Sequence, residues 1–183
     1  NNTALGYSAL LNNTGSGNIA VGSFCLDANT SGGSNVAVGQ SALGANTTGL
    51  NNTAVGEQAL LTNTTGQLNV AIGNFSLKVN TTGNHNTALG AGSLNENTTG
   101  DYNVAVGRLT FRYNTSGTKN TVVGSLAGNT LTTGDNNTVI GSEADASSAT
   151  VDNEITLGNS SVATLRCNTQ TISSLSDARD KTN

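Results

Sequence analysis

Apolar and polar positions along this chain alternate on a fixed beat. The clearest unit is Asn103-Val104-Ala105-Val106-Gly107: a polar residue, a β-branched one, a small one, a branched aliphatic and a glycine. Copies begin at Asn2, Asn18, Asn35, Asn52, Asn69, Asn86, Asn103, Asn120 and Asn137, with a degenerate tenth at Glu154. The first step is sixteen residues and every later one is seventeen. A strict period this short is the signature of a solenoid, in which each coil is one supersecondary unit stacked on the next.

Slot by slot, the unit reads as a short strand. The residue before the glycine is always Leu, Val or Ile, and the residue two earlier is always Thr, Val or Ile. Such residues favour strands, and side chains alternate faces along a strand. The two branched slots therefore share one face, and the small residue between them points the other way. The glycines that follow, Gly6, Gly22, Gly39, Gly56, Gly73, Gly90, Gly107, Gly124, Gly141 and Gly158, mark the structural corner of each coil. A glycine repeated there implies positive φ or close backbone approach.

Three residues beyond each glycine lies a second small slot, often followed by a large apolar residue, as in Ala59-Leu60. That pair predicts a second short strand folding back over the first. An Asn-Thr-Thr-Gly run, as at Asn63–Gly66, then closes the coil with residues that tolerate left-handed backbone and bond to nearby backbone groups. The expected fold is all-β, a parallel β-roll or β-solenoid of about ten 17-residue coils. Apolar residues on both strand faces call for a partner. We expect the branched face to line the coil and the alanine face to meet sister chains, intertwined or packed as a homotrimer.

Composition supports this picture. Of 183 residues, 10% are charged, 3% are aromatic, 23 are glycine, and none is Pro, Met or Trp. Disorder at such low hydrophobicity usually accompanies high net charge, whereas here the net charge is −4 and the apolar residues are strictly phased. Mild acidity gives no electrostatic reason to expect nucleic acid or an anionic membrane as partner. No apolar run approaches the roughly 20 residues of a membrane-spanning helix, so membrane insertion is not expected. The chain opens inside a repeat, as an excised or processed piece of something longer would.

The unit Asn-Val-Ala-Val-Gly-x-x-Ser-Leu resembles the coil motif of YadA-like heads in trimeric autotransporter adhesins, which are left-handed β-rolls three chains wide. Their repeat is near fourteen residues, and the longer Asn-Thr-Thr-Gly loop departs from it. The seventeen-residue form is more similar to the repeat shafts of phage tail fibres. This resemblance covers residues 1–158. It implies a homotrimer in a virion tail fibre, or at a bacterial cell surface if the adhesin resemblance holds. Its partner would be a host receptor, a glycan among the candidates.

After Gly141 the pattern loosens. Ser142-Glu143-Ala144-Asp145 is polar, as a solenoid cap requires. Residues 159–175 read as an extended β connector. The last run, residues 176–183, begins Ser176-Asp177-Ala178-Arg179-Asp180-Lys181 and resembles the opening of the endosialidase-type intramolecular chaperone, a self-cleaving trimeric domain of phage fibres. The resemblance implies Ser176 as nucleophile and Lys181 as its general base, in the full-length parent only. A lysine needs a desolvating fold to act as a base, and the chaperone body is absent, so this chain is not expected to be an enzyme.

Other candidate chemistry reads as structural. Cys25 occupies the small slot that is Ala in five of nine units and is expected to be a buried small hydrophobe. Cys167 lies where chains would converge, which leaves an interchain disulfide open. His85, the only histidine, sits in a variable loop slot. The acids Glu57, Asp101, Asp135 and Glu143 are scattered, with no paired arrangement for acid–base work and no periodic Asp for calcium. No cofactor or metal is expected. The Asn-x-Thr matches at Asn46 and Asn63 read as repeated turn chemistry rather than glycosylation signals. Strand Thr residues alternate with Val and Ile, which argues against an ice-binding ladder. Leu50, Gln67-Leu68, Asn84-His85, Asp101-Tyr102 and Thr118-Lys119 are expected to decorate the outside, where a host receptor would be met.

Overall fold

The computed structural model describes residues 1–164. Each repeat contributes one three-residue strand: β1 (Thr3–Leu5), β2 (Ile19–Val21), β3 (Val36–Val38), β4 (Thr53–Val55), β5 (Val70–Ile72), β6 (Thr87–Leu89), β7 (Val104–Val106), β8 (Thr121–Val123), β9 (Thr138–Ile140) and β10 (Ile155–Leu157). They form one parallel sheet in chain order, β1 to β10. Each strand pairs with its copy in the next coil: Thr3 with Ile19, then at seventeen-residue spacing Thr53 with Val70 and Ala54 with Ala71. The fold is an all-β parallel β-solenoid of about nine turns.

The strand faces are the reverse of the sequence expectation. The middle residues, Ala20, Ala37, Ala54, Ala71, Ala88, Ala105, Val122 and Val139, are fully buried inside the coil. The branched slots face outward; Thr53 and Val55 are half-buried, and Ile72 and Leu89 are exposed. The interior explains this, because the opposite wall delivers a large residue per coil, Leu26, Leu43, Leu60, Leu77, Leu94 or Phe111, all fully buried. Little depth remains across from it, and alanine fits where two branched side chains would overpack.

Nor is that opposite wall a strand. Gln58 and Leu60 are left-handed at φ 55° and 51°, whereas Ala59 between them is not. Neighbouring strand residues point to opposite sides, yet Ala59 and Leu60 are both fully buried. The alternation of handedness allows that. It also turns successive N–H groups toward different neighbours: Gln58 N–H donates back to the Gln40 carbonyl (2.9 Å), and Leu60 N–H donates forward to Ser76 (3.0 Å). The coil is thus bonded to both neighbours without a second strand.

Two glycine slots have different causes. Gly56, after the strand, has φ +136°, and a Cβ there would stand 2.6 Å from the Gly73 carbonyl carbon. Both sequence explanations hold at that corner. Gly66, in the Asn-Thr-Thr-Gly turn, is not left-handed. A Cβ there would lie 2.3 Å from Asn63 Oδ1 and 2.5 Å from the Gly83 carbonyl oxygen, so the requirement is space.

Near the C-terminal end the core changes partners. Gly128 stands in the large apolar slot, and a Cβ there would meet a Val122 methyl at 2.8 Å. Val122 replaces the usual alanine, and Leu131, fully buried, occupies the slot that holds Asn114 one coil earlier. Volume lost at one position returns at two others. Of the expected connector at 159–175, residues 159–164 are described. They form a turn, with Val162 N–H donating to the Asn159 carbonyl at 3.1 Å. Cys167, Ser176 and Lys181 lie outside the described residues.

Candidate functional site: internal ladders and an exposed strand face

Two columns of asparagine run through the solenoid, one to Asn137 and the other to Asn114, and neither role is evident from hydrophobic patterning. The first stands just before the strands: Asn18, Asn35, Asn52, Asn69, Asn86, Asn103, Asn120 and Asn137, each essentially inaccessible to solvent. In this column Asn52 Oδ1 accepts from the backbone N–H of Asn69 (3.0 Å) and from Asn69 Nδ2 (3.2 Å). Asn69 Nδ2 also donates to the Gly83 carbonyl at 2.8 Å. The second column is the first residue of the Asn-Thr-Thr-Gly turn: Asn80 Nδ2 donates to Asn63 Oδ1 (2.8 Å) and to the same Gly83 carbonyl (3.0 Å). The two ladders therefore meet at one glycine oxygen per coil. Every buried side-chain nitrogen and oxygen among the described residues has a partner. A fully satisfied polar network of this kind fixes register, since any slip would leave buried amides unpaired.

A third ladder belongs to the first turn threonine: Thr47 Oγ1 donates to the Thr64 carbonyl (3.0 Å), and Thr64 Oγ1 to Thr81 (3.1 Å). At Asn46 and Asn63 these ladders argue against glycosylation, because both amides are buried and committed. Two of the scattered acids have local partners. Asp101 Oδ1 accepts from Asn84 N–H (2.6 Å) and Asp135 Oδ1 from Thr118 N–H (2.6 Å). At the end of the first ladder Glu154 replaces asparagine. Its carboxylate accepts from the Ser147 hydroxyl (2.5 Å), the Ser147 N–H (2.9 Å) and Thr156 Oγ1 (2.9 Å). Those bonds, the Ser147 hydroxyl first, hold it below the usual carboxylate range.

Cys25 is fully buried, as its small slot suggested, with Sγ 2.6 Å from the Gly39 carbonyl oxygen. Burial pushes its thiol up, away from the reactive thiolate. His85 is exposed and stacks flat on Tyr102 of the next coil, centroids 4.6 Å apart and planes 7° apart. The other expected loop residues, Leu50, Gln67, Leu68 and Lys119, are exposed as well, and Asn84, Asp101 and Thr118 are half-buried. Among the described residues no group of three or more His, Cys, Asp or Glu is placed to hold a metal.

The most extensive chemical feature is the outer strand face. Two rows run along it, Thr3 through Ile155 and Leu5 through Leu157, one residue of each per coil. Of twenty positions, fifteen are Val, Ile or Leu, five are Thr, and none is charged. Nine steps of about 4.8 Å make the face roughly 43 Å long. With rows about 7 Å apart plus side-chain width, its plan area is on the order of 400–500 Å², within the range of about 300–600 Å² for the largest apolar patch on a monomer, where such patches are often functional. No family model, curated protein or solved structure matches the chain.

Proposed function

We propose that this chain is a structural and adhesive segment of a trimeric phage tail fibre, a stiff rod that carries host-recognition surfaces. The observation that supports this best is the uncharged outer face of β1–β10, fifteen aliphatic side chains in two straight rows. A patch of this size is often functional, and its straight, uncharged rows suit a partner with the same repeat. Its partner is a second and third copy of the same face, because the rows repeat at the pitch of the coil and identical rows match along their whole length. Closed symmetry of identical chains is also the common form of oligomer. The Ser176–Lys181 run, by its resemblance to a trimerising chaperone, fits three copies.

The ladders serve the mechanical role. Three columns of side-chain bonds, added to the backbone pairing, tie each coil to both neighbours. Bending or local opening must break several bonds at once. Recognition then falls to the faces that remain outside, where weak contacts repeated on three chains gain by avidity.

Charge placed on the strand face tests the assembly. Ile72→Glu with Leu89→Glu should give a folded monomer, with an unchanged β spectrum and a third of the sedimenting mass. If the double variant sediments like the parent, the strand face is not the interface.

A further inference from the structure

The wall of left-handed turns carries a feature that the assembly does not use. Between Phe75 in one coil and Leu109 two coils on, the outward row of side chains is interrupted by Gly92, and Ala91 beside it is nearly as small. The gap forms an open basin of about 380 Å³, lined also by Lys78, Asn95, Arg108 and Arg112. Gly92 keeps the left-handed backbone of this slot at φ +68°, while the same slot holds Phe75 (φ 61°), Leu109 (φ 52°) and Leu126 (φ 60°) in other coils. The backbone therefore accepts a side chain here once the Leu109 Cδ2 methyl, 2.6 Å from where a Cβ would stand, rotates aside, and the basin exists because none is present.

The lining is chemically one-sided. The whole chain has seven Lys and Arg and a net charge of −4, yet three of the seven line this basin and no carboxylate does. Lys78, Asn95 and Arg112 occupy one slot in three successive coils, so the cations flank a neutral amide. Two of them are steadied by rings: Lys78 Nζ lies 5.2 Å from the Phe75 centroid, and the Arg112 guanidinium 5.0 Å from that of Tyr113. Asn95 is held by donating Nδ2 to the Phe75 carbonyl at 2.9 Å. Arginine forks match carboxylate and sulfate geometry. Phe75 and Leu109 offer apolar surface to the non-ionic part of a ligand.

We propose that this basin binds an acidic saccharide, one sugar bearing a carboxylate or sulfate group held by Arg108, Arg112 and Lys78. This deepens the host-attachment reading and rests on it for the choice of a saccharide. An extended polyanion fits less well. Elsewhere the same wall carries Asp27, Glu57, Glu143 and Asp145, whereas a nucleic-acid backbone or anionic bilayer needs a continuous basic track.

The test uses the full 183-residue chain and follows backbone amides by NMR during titration. The probes are a glucuronic-acid disaccharide, a sulfated disaccharide, their neutral counterpart, inorganic sulfate and a single-stranded oligonucleotide. The expected result is saturable shifts at Gly92, Asn95 and Leu109 with one or both acidic disaccharides, the pair showing which anion is preferred. The neutral sugar and free sulfate should bind at least tenfold more weakly. Arg108→Ser and Arg112→Ser should each weaken binding by about tenfold or more. Gly92→Leu, which restores the side chain of neighbouring coils and leaves all three cations, should abolish it. Equal binding of the neutral sugar, tighter binding of the oligonucleotide, or indifference to Gly92→Leu would overturn the proposal. Sedimentation of the same sample keeps the two readings apart: a monomer that binds refutes the fibre assembly alone, and a trimer that does not bind refutes the basin alone.

Discussion

Removal of one side chain from the middle of the first asparagine ladder probes what holds the solenoid together. Asn86 Oδ1 accepts from the Asn103 N–H (3.0 Å) and Asn103 Nδ2 (3.2 Å), and Asn86 Nδ2 donates to Asn69 Oδ1 (3.2 Å) and to the Gly100 carbonyl (2.8 Å). Not all four losses count equally. Gly100 O retains the donor Asn97 Nδ2 (3.0 Å), and Asn69 Oδ1 retains the Asn86 backbone N–H (3.0 Å). Asn86→Ala therefore orphans the Asn103 N–H and one Asn103 amide proton. Both are buried. At about 1–3 kcal/mol for each unsatisfied buried group, the loss should be roughly 2–6 kcal/mol. Urea unfolding measures the sum, and hydrogen exchange at the Asn103 amide locates it, with Thr99→Ala on the exposed turn as the neutral control. Asn86→Asp should be at least as damaging at neutral pH, where a carboxylate faces the Gly100 carbonyl. The damage should ease on acidification, since a protonated acid can donate. If Asn86→Ala stays within about 0.5 kcal/mol of the control and Asn103 exchange is unchanged, the ladder is not what orders the coils.

Three further outcomes follow from the same geometry. Gly66→Ala forces a Cβ to 2.3 Å from Asn63 Oδ1 and 2.5 Å from the Gly83 carbonyl; it should destabilise by about 3 kcal/mol or more, above the usual range for single changes, and a thermal midpoint equal to the parent's contradicts the packing argument. Ala71→Leu places a large residue in the filled interior opposite Leu60 and Leu77 and should cost about 1–3 kcal/mol, whereas Val55→Leu on the outer face of the same sheet should leave the unfolding free energy of a dissociated chain nearly unchanged; equal effects would mean the faces are misassigned. Glu154 is held below its ordinary value, so its contribution is present above the unfolded carboxylate pKa, near 4.5, and is lost as pH falls through the folded one; amide protection factors across residues 147–157, corrected for the intrinsic exchange rate at each pH, should fall first on acidification below about pH 4.5, Glu154→Gln should remove that dependence, and flat protection factors from pH 5 to 3 would refute the assignment.

The period, the strand and the corner glycine were legible because each repeats a physical requirement at every turn. Ala54 lies on the side of the sheet opposite to the one its size suggests, for an equally physical reason. Size alone points to the larger Thr53 and Val55 as the core. The limiting quantity is the width of the coil, already taken by Leu60 from the far wall. The left-handed backbone at Leu60, where a second strand is expected, is not legible because leucine carries no signal for it and the tertiary stack overrides its preference. The signal for the ladders was present in the letters. Asn recurs without exception from Asn18 to Asn137 in one slot and from Asn46 to Asn114 in another, while loop slots such as Gln67, Asn84 and Asp101 vary. Stacked amides in register are the usual reason for such a column. The basin at Gly92 was not legible, because it arises from the absence of a side chain in one coil and from cations that only the stacking of three coils brings together.

Sedimentation equilibrium of the full chain at micromolar concentration tests the central claim most directly. The strand face predicts a single species of three times 18.3 kDa, which does not dissociate on moderate dilution. A folded, stable species of 18.3 kDa, with its aliphatic rows left in water, would contradict it.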